Sequence, residues 1–95
     1  MQEIYLDYFK KNNWILSSEK KTVRKSFKFI DFPSAIAWMV EASFYAEKIN
    51  HHPEWKNVYN NVYVELTTHD INGLSDKDGK IASFMDNTFS NYAKK

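Results

Sequence analysis

Hydrophobic positions follow two rhythms along this chain. Ile4, Tyr5, Tyr8 and Phe9 recur at helical spacing, so Gln2 to Lys11 reads as a short amphipathic helix that Asn12-Asn13 ends. Trp14 to Ser18 and Thr22 to Ile30 read as two strands joined through Glu19-Lys20-Lys21. In the second, Val23, Lys25, Phe27 and Phe29 alternate with Arg24, Ser26, Lys28 and Ile30; Lys25 and Ile30 are the positions that break the pattern. Helical spacing returns after Asp31. That residue is a suitable N-cap, and Pro33 fits the first turn, where its missing N–H costs little. Ile36, Met39, Val40 and Phe44 form an apolar stripe on a helix expected to reach about Asn50, off which Trp38 and Tyr45 lie. Pro53 enforces the stop by biasing His52 away from helical geometry.

Val58-Tyr59 and Val62 to Thr68 read as two further strands, with Asn60-Asn61 as a two-residue turn because Asn tolerates positive φ. Val62, Val64 and Leu66 take one face; Tyr63, Glu65, Thr67 and His69 take the other. Asn72-Gly73 is a turn, and Ser75 with Asp78 has capping-box spacing, with Asp in place of Glu or Gln. A last helix from Asp76 to about Ala93 is expected to bury Ile81, Phe84, Met85, Thr88 and Tyr92. The order is α-β-β-α-β-β-α. It predicts an α+β fold in which a four-stranded antiparallel sheet carries three helices on one face.

Composition narrows the function classes. A chain of 95 residues has room for one core, so residues 1–95 are expected to form one domain. Aromatic residues make up 17%, which lets a short chain bury enough surface, and self-association is a natural way to add more. The absence of cysteine excludes disulfides and thiolate metal sites. No segment has signal-peptide character or membrane-spanning length, which points to a cytoplasmic protein without a membrane partner. Thirteen basic and twelve acidic residues give a net charge of +1. The densest basic stretch (Lys20, Lys21, Arg24, Lys25 and Lys28) falls on the predicted strand pair, where a solvated sheet face is the ordinary reading, so nucleic acid is not expected as a ligand.

Candidate chemistry concentrates between positions 51 and 69, which hold all three histidines. With Asn60-Asn61 as the turn, Tyr59 faces Val62, and extending that register brings His52 close to His69. Glu47 lies four residues before His51 and shares its face if the helix persists, where it would orient the ring. His52, extended before proline, should point away from His51, so the two rings line different parts of one pocket. Imidazole suits acid–base work because its ordinary pKa of about 6.5 makes both forms available near neutrality. Glu47 alone would more often be a solvated charge, and Trp55 is as readily a packing residue as a stacking platform. A zinc site would need His51 and His52 to aim at one ion, which their divergence opposes, and no HExxH-type spacing is present; a metal is not expected.

The segment from Glu47 to Asn60, with its spaced glutamate, His51-His52-Pro53 and Trp55, resembles the signature of the pterin-4a-carbinolamine dehydratases. Val62 to Leu66, Thr68-His69-Asp70, Gly73-Leu74-Ser75 and Asp78 continue the resemblance without gaps, over essentially the full chain. The resemblance implies the α+β fold above, a homodimer or homotetramer, and dehydration of a 4a-hydroxytetrahydropterin to a quinonoid dihydropterin. No metal or cofactor is implied, the pterin being the substrate. It implies that His51 and His69 form an acid/base pair, that His52 binds and orients the pterin, that Glu47 supports His51, and that Trp55 and Asp78 lie at the site. Asn50 and Lys77 depart from the Asp and Arg of some relatives. Some relatives also act as dimerisation cofactors of a transcription factor. A protein-interaction module using the outward side of Phe32 to Ile49, with Trp38 and Tyr45, is therefore one alternative reading. A pterin-binding protein of another pathway, such as molybdopterin metabolism, is the other.

Overall fold

The computed structural model describes residues 3–93. Its elements run α1 (Glu3–Lys11), β1 (Ile15–Leu16), β2 (Val23–Lys28), α2 (Phe32–Lys48), β3 (Glu54–Val58), β4 (Asn61–Leu66), a 3-10 turn (His69–Ile71) and α3 (Asp76–Phe89). The expected order holds, and the sheet is antiparallel throughout, in the order β1-β2-β4-β3. Gln2, expected to begin the first helix, lies outside the described residues. No helix among them is long and apolar enough to cross a membrane.

One sheet face is covered and the other is open. Val23 and Phe27 of β2 and Val62, Val64 and Leu66 of β4 are all buried, together with Phe9, Trp38, Ile81 and Met85 from the three helices. Rings carry much of this core: Phe27 and Phe29 both lie close to Trp38, with centroids 4.6 and 5.2 Å away. The helices also meet one another closely. A Cβ on Gly79 of α3 would lie 2.2 Å from the Tyr5 ring, so the bare backbone there is what admits α1.

Three expectations need correction. The apolar stripe of α2 is not the core face: Ile36, Val40 and Phe44 are exposed and Met39 is half-buried. The buried face is Ala35, Trp38, Ala42 and Ala46. Small alanines let α2 lie close to the sheet, and Trp38 fills the remaining space. Nor is Tyr45 on an outward face, since it stacks on Phe84 with ring centroids 4.3 Å apart.

The β3–β4 turn is Tyr59-Asn60 and not Asn60-Asn61, because Val58 pairs with Asn61. Tyr59 takes the positive φ of 52°, a conformation unusual for an aromatic residue. Neighbours hold it there. The Asn57 side chain donates to the carbonyls of Tyr59 and Asn61, and the Asn60 side chain donates to Phe29. Partners are thus displaced by two positions, and an even displacement keeps each residue on its expected face. Trp55 pairs with Val64.

The third correction is to strand extent. The first hairpin is shorter than expected, with β1 reduced to Ile15–Leu16 and β2 ending at Lys28, while β3 begins earlier, at Glu54. Helix α3 ends at Phe89, although backbone turns continue to Ala93.

Lys25, the odd residue in β2, has a partner. Its ammonium lies 2.6 Å from Asp86 of α3, whose carboxylate also accepts from the Tyr8 hydroxyl at 2.6 Å and the Trp14 indole at 2.9 Å. One carboxylate thus ties α1, the chain just before β1, and β2 to α3. Burial, together with the hydrogen bond and negative charge of Asp86, pushes the Tyr8 hydroxyl above the ordinary tyrosine range. Because the folded value is the higher one, the unfolded chain releases this proton first. The stabilisation is complete below about pH 10 and is lost as pH rises beyond it. Asp86→Ala takes the acceptor from Tyr8 and Trp14 and the counter-charge from Lys25, which keeps the Asn12 carbonyl at 2.8 Å, and is expected to cost about 3 kcal/mol in urea unfolding at neutral pH. The same variant should show a weaker fall in stability above about pH 10.

Candidate active site

The end of α2 decides where two histidines go. Ile49 is the C-cap, and Asn50 follows in the left-handed region at φ 53°. The Asn50 N–H donates to the Glu47 carbonyl at 3.1 Å and the His51 N–H to the Ala46 carbonyl at 3.0 Å. This is a Schellman closure, which reverses the chain. The helix therefore stops short of His51, and helical spacing no longer places Glu47 beside it. Glu47 instead meets His52, with Oε1 2.9 Å from Nε2, and both side chains are largely exposed. The expected Glu47–His51 contact is thereby corrected.

His51 turns inward and is 11% exposed. Its Nε2 lies 2.6 Å from Oδ1 of Asp78, whose side chain is completely buried. Asp78 thus orients His51, the role expected of Glu47. The second oxygen, Oδ2, accepts from the Thr68 hydroxyl at 2.7 Å and from the Ser75 N–H at 3.0 Å. That last bond is half of the capping box, formed as the sequence predicts. One side chain thus starts α3 and holds the ring of His51. Because the carboxylate accepts, Nε2 of His51 carries a proton, and in the neutral ring the lone pair is on Nδ1.

His69 comes from a different element. Thr68 and Gly73 form a two-way backbone bridge, Thr68 N–H to Gly73 O at 2.8 Å and the reverse at 3.3 Å. The loop between them is the 3-10 turn, closed by Asn72 at φ 51°. His69 is 79% exposed, and its Nε2 is 3.5 Å from Oε2 of Glu54, the first residue of β3. Glu54 is a neighbour that sequence reasoning did not single out. The expected register already places Glu54 opposite Thr67, near His69; in the actual register it pairs with Glu65, and its carboxylate still reaches the ring.

These three segments enclose one cavity of about 280 Å³, with His51, His52, His69, Asn50, Thr68 and Lys77 on its wall. Its volume is at the small end for ligand pockets. The expected convergence of three histidines is therefore present, although the β3–β4 register that suggested it is displaced. Trp55 does not join them. It is half-buried, lies 6.3 Å from the Trp38 ring, and borders a larger hollow of about 700 Å³ along the sheet. That hollow has Arg24, Lys56, Tyr63 and Glu65 on its wall but none of the histidines.

The chemistry open to the smaller cavity is proton transfer. It joins a ring held by a buried carboxylate to two exposed rings, with the cationic side chain of Lys77 on the same wall.

Comparison with known proteins agrees with the fold and the motif. Residues 2–88 match the family model described as pterin 4 alpha carbinolamine dehydratase. A protein of Rhizobium rhizogenes assigned to the pterin-4-alpha-carbinolamine dehydratases is 52% identical over 73 residues, covering 77% of this chain and 72% of the relative. One of Ruegeria pomeroyi with the same assignment is 48% identical over 75 residues, 79% of this chain and 77% of the relative. Among solved structures, the transcriptional coactivator/pterin dehydratase of Brucella melitensis superposes with a TM-score of 0.82 at 38% identity, over 92% of this chain and 95% of that one. A pterin dehydratase-like RuBisCO assembly factor of the alpha-carboxysome shares the fold, with a TM-score of 0.66 at 16% identity over 78% and 86% of the two chains. With a family model spanning nearly the whole sequence and relatives near half-identical, this chain belongs to the pterin-4a-carbinolamine dehydratase family.

Proposed function

We propose that the protein is a cytoplasmic hydro-lyase that removes water from 4a-hydroxytetrahydropterin, giving quinonoid dihydropterin, with no metal or cofactor. The observation that carries this reading is the Asp78–His51 contact at the wall of a cavity shared with His52 and His69. In the reaction the C4a–O bond breaks and the hydroxyl leaves as water. A ring nitrogen of the pterin loses its proton, and its electron pair forms the new C=N bond. Hydroxide is a poor leaving group, so one group must give a proton while another takes one.

His51 suits the accepting role. In the neutral ring its Nδ1 has the lone pair, and the imidazolium formed on accepting a proton faces the Asp78 carboxylate. His69 is then the donor to the departing hydroxyl and, being exposed, is recharged from solvent. His52, held by Glu47 at the rim, orients the ring system. The test is stopped-flow dehydration of a synthetic 4a-hydroxytetrahydropterin with chelator present. Acceleration by the wild type that is lost in the His51→Ala and His69→Ala variants supports the reading. No acceleration by the folded wild type overturns it.

A second feature supports self-association. Phe32, Ile36, Val40 and Phe44 recur every four residues along the exposed side of α2. Glu41, the single charged residue between Phe32 and Ala46, is turned toward the Tyr92 hydroxyl at 2.6 Å. The stripe is thus apolar and free of charge over more than three helical turns, and a second copy would cover it. Val40→Glu is expected to convert the assembly to monomers in sedimentation velocity while leaving the far-UV spectrum unchanged. The alternative, an interaction module for another protein, would leave the wild type monomeric.

A further inference from the structure

We propose that Thr68 is a positioning residue for the proton chemistry of His51, acting through the carboxylate of Asp78. The inference deepens the dehydratase reading, and its kinetic part rests on that reading; its spectroscopic part does not.

The directions of the hydrogen bonds carry it. The Thr68 hydroxyl has one hydrogen, and the Asp78 carboxylate 2.7 Å away can only accept, so that hydrogen is committed. Ser75 Oγ, 2.6 Å from Thr68 Oγ1, must then donate to it. Its lone pairs stay available to the Lys77 N–H at the N-cap. The chain therefore runs one way, from Ser75 to Thr68 to Asp78, and ends on the carboxylate that accepts from His51 at 2.6 Å.

Each member is also fixed in place. Asp78 is fully buried and belongs to α3, while the two-way bridge to Gly73 locks the backbone of Thr68. Of the titratable groups around the cavity, His52, His69, Asp70 and Lys77 make no hydrogen bond to the His51 ring among the described residues. The tautomer of His51 is thus set by Asp78 alone, and the orientation of Asp78 is set by Thr68 and Ser75. Thr68 also sits where β4 gives way to the turn carrying His69, so one residue adjoins both supports of the acid–base pair.

Without the hydroxyl, Oδ2 keeps only the Ser75 N–H, and the carboxylate can rotate away from His51. Thr68→Val keeps the shape and removes the donor; Thr68→Ser restores it. The first measurement is the ring ¹⁵N spectrum of His51 at alkaline pH, where the ring is neutral. The wild type and Thr68→Ser are expected to show one protonated Nε2 and one bare Nδ1, and Thr68→Val the averaged signals of mixed tautomers. The second is kinetic: Thr68→Val should lower kcat about tenfold, the scale of one hydrogen bond to a charged group, with KM changed less than about twofold.

Ser75→Ala is the control for general loosening, because it weakens the helix cap yet leaves the Thr68–Asp78 bond in place. It should keep the single tautomer. A wild-type ¹⁵N pattern in folded Thr68→Val, or mixed tautomers in Ser75→Ala, overturns the proposal; Thr68→Ala serves if the valine variant does not fold. Should the wild type prove inactive as a dehydratase, the ¹⁵N result still decides the role of Thr68.

Discussion

Replacement of His51 by alanine is expected to lower the rate of 4a-hydroxytetrahydropterin dehydration by about 10²–10⁴-fold, the range that one positioned acid or base contributes. The ring is nearly enclosed, and its Nε2 is committed to Asp78, so no neighbour takes over at Nδ1. Stability should fall as well, by about 1–3 kcal/mol, because Oδ1 of the completely buried Asp78 loses its partner although the ring itself lies outside the hydrophobic core. His69→Ala is expected to fall in the same range. Because His69 is open to solvent, added imidazole should restore part of the activity there and much less at the enclosed position 51. The double variant should be far less than multiplicatively impaired, as groups acting on one transition state are not additive. Equal rates for wild type and His51→Ala would remove the ring from the chemistry and send attention to the apolar side of α2.

Asp78→Asn should be as damaging to turnover, by a different route. An amide in this place would use its oxygen for Thr68 and the Ser75 N–H and turn its NH₂ toward His51. A donor facing Nε2 forces the proton onto Nδ1, so the cavity loses the lone pair that should accept the pterin proton. The analogous exchange in a serine-protease triad leaves geometry intact and lowers kcat about 10⁴-fold. A loss of at least about 10²-fold is expected here, with an unfolding free energy within about 1 kcal/mol of wild type, because the amide still completes the capping box. Asp78→Ala removes its half of the capping box and leaves the Ser75 N–H and the Thr68 hydroxyl without their acceptor, and should cost about 3 kcal/mol as well. Urea titration of both variants beside stopped-flow kinetics separates the two effects. Wild-type kcat in Asp78→Asn would show that His51 does not depend on this carboxylate for its tautomer.

Local signals in the sequence lead to the right elements, and the errors lie where partners are remote. Asp31, Pro33, Ser75 and Asp78 act within a few residues of themselves, and the helix starts they predict are where the structure has them. Asn50 followed by Pro53 is likewise a helix-stop signal. It ends α2 before His51 and turns Glu47 away from that ring. The α2 stripe misleads because Ile36, Val40 and Phe44 are more hydrophobic than the alanines that face the sheet. Only the presence or absence of a covering neighbour distinguishes an interface from a core. Tyr59 was an improbable turn residue, and side chains of Asn57 and Asn60 overrule its preference. The Asp86 cluster joins residues 61 to 78 positions apart, beyond any spacing rule. At the site, the histidines were legible from the motif, and Asp78 was legible as a cap. That its other oxygen reaches a ring 27 residues earlier was not.

The double duty of Asp78 has a consequence for reading the sequences of relatives. Since this carboxylate begins α3 whether or not any reaction takes place, a descendant that abandoned dehydration for scaffolding would still be under pressure to keep it. An aspartate at this position therefore marks the fold and cannot certify an enzyme. His51 and His69 have no comparable structural duty in the hydrophobic core, so their loss is the informative event. Among proteins of this shape, the pair at 51 and 69 is what should separate working dehydratases from those that have kept only the frame.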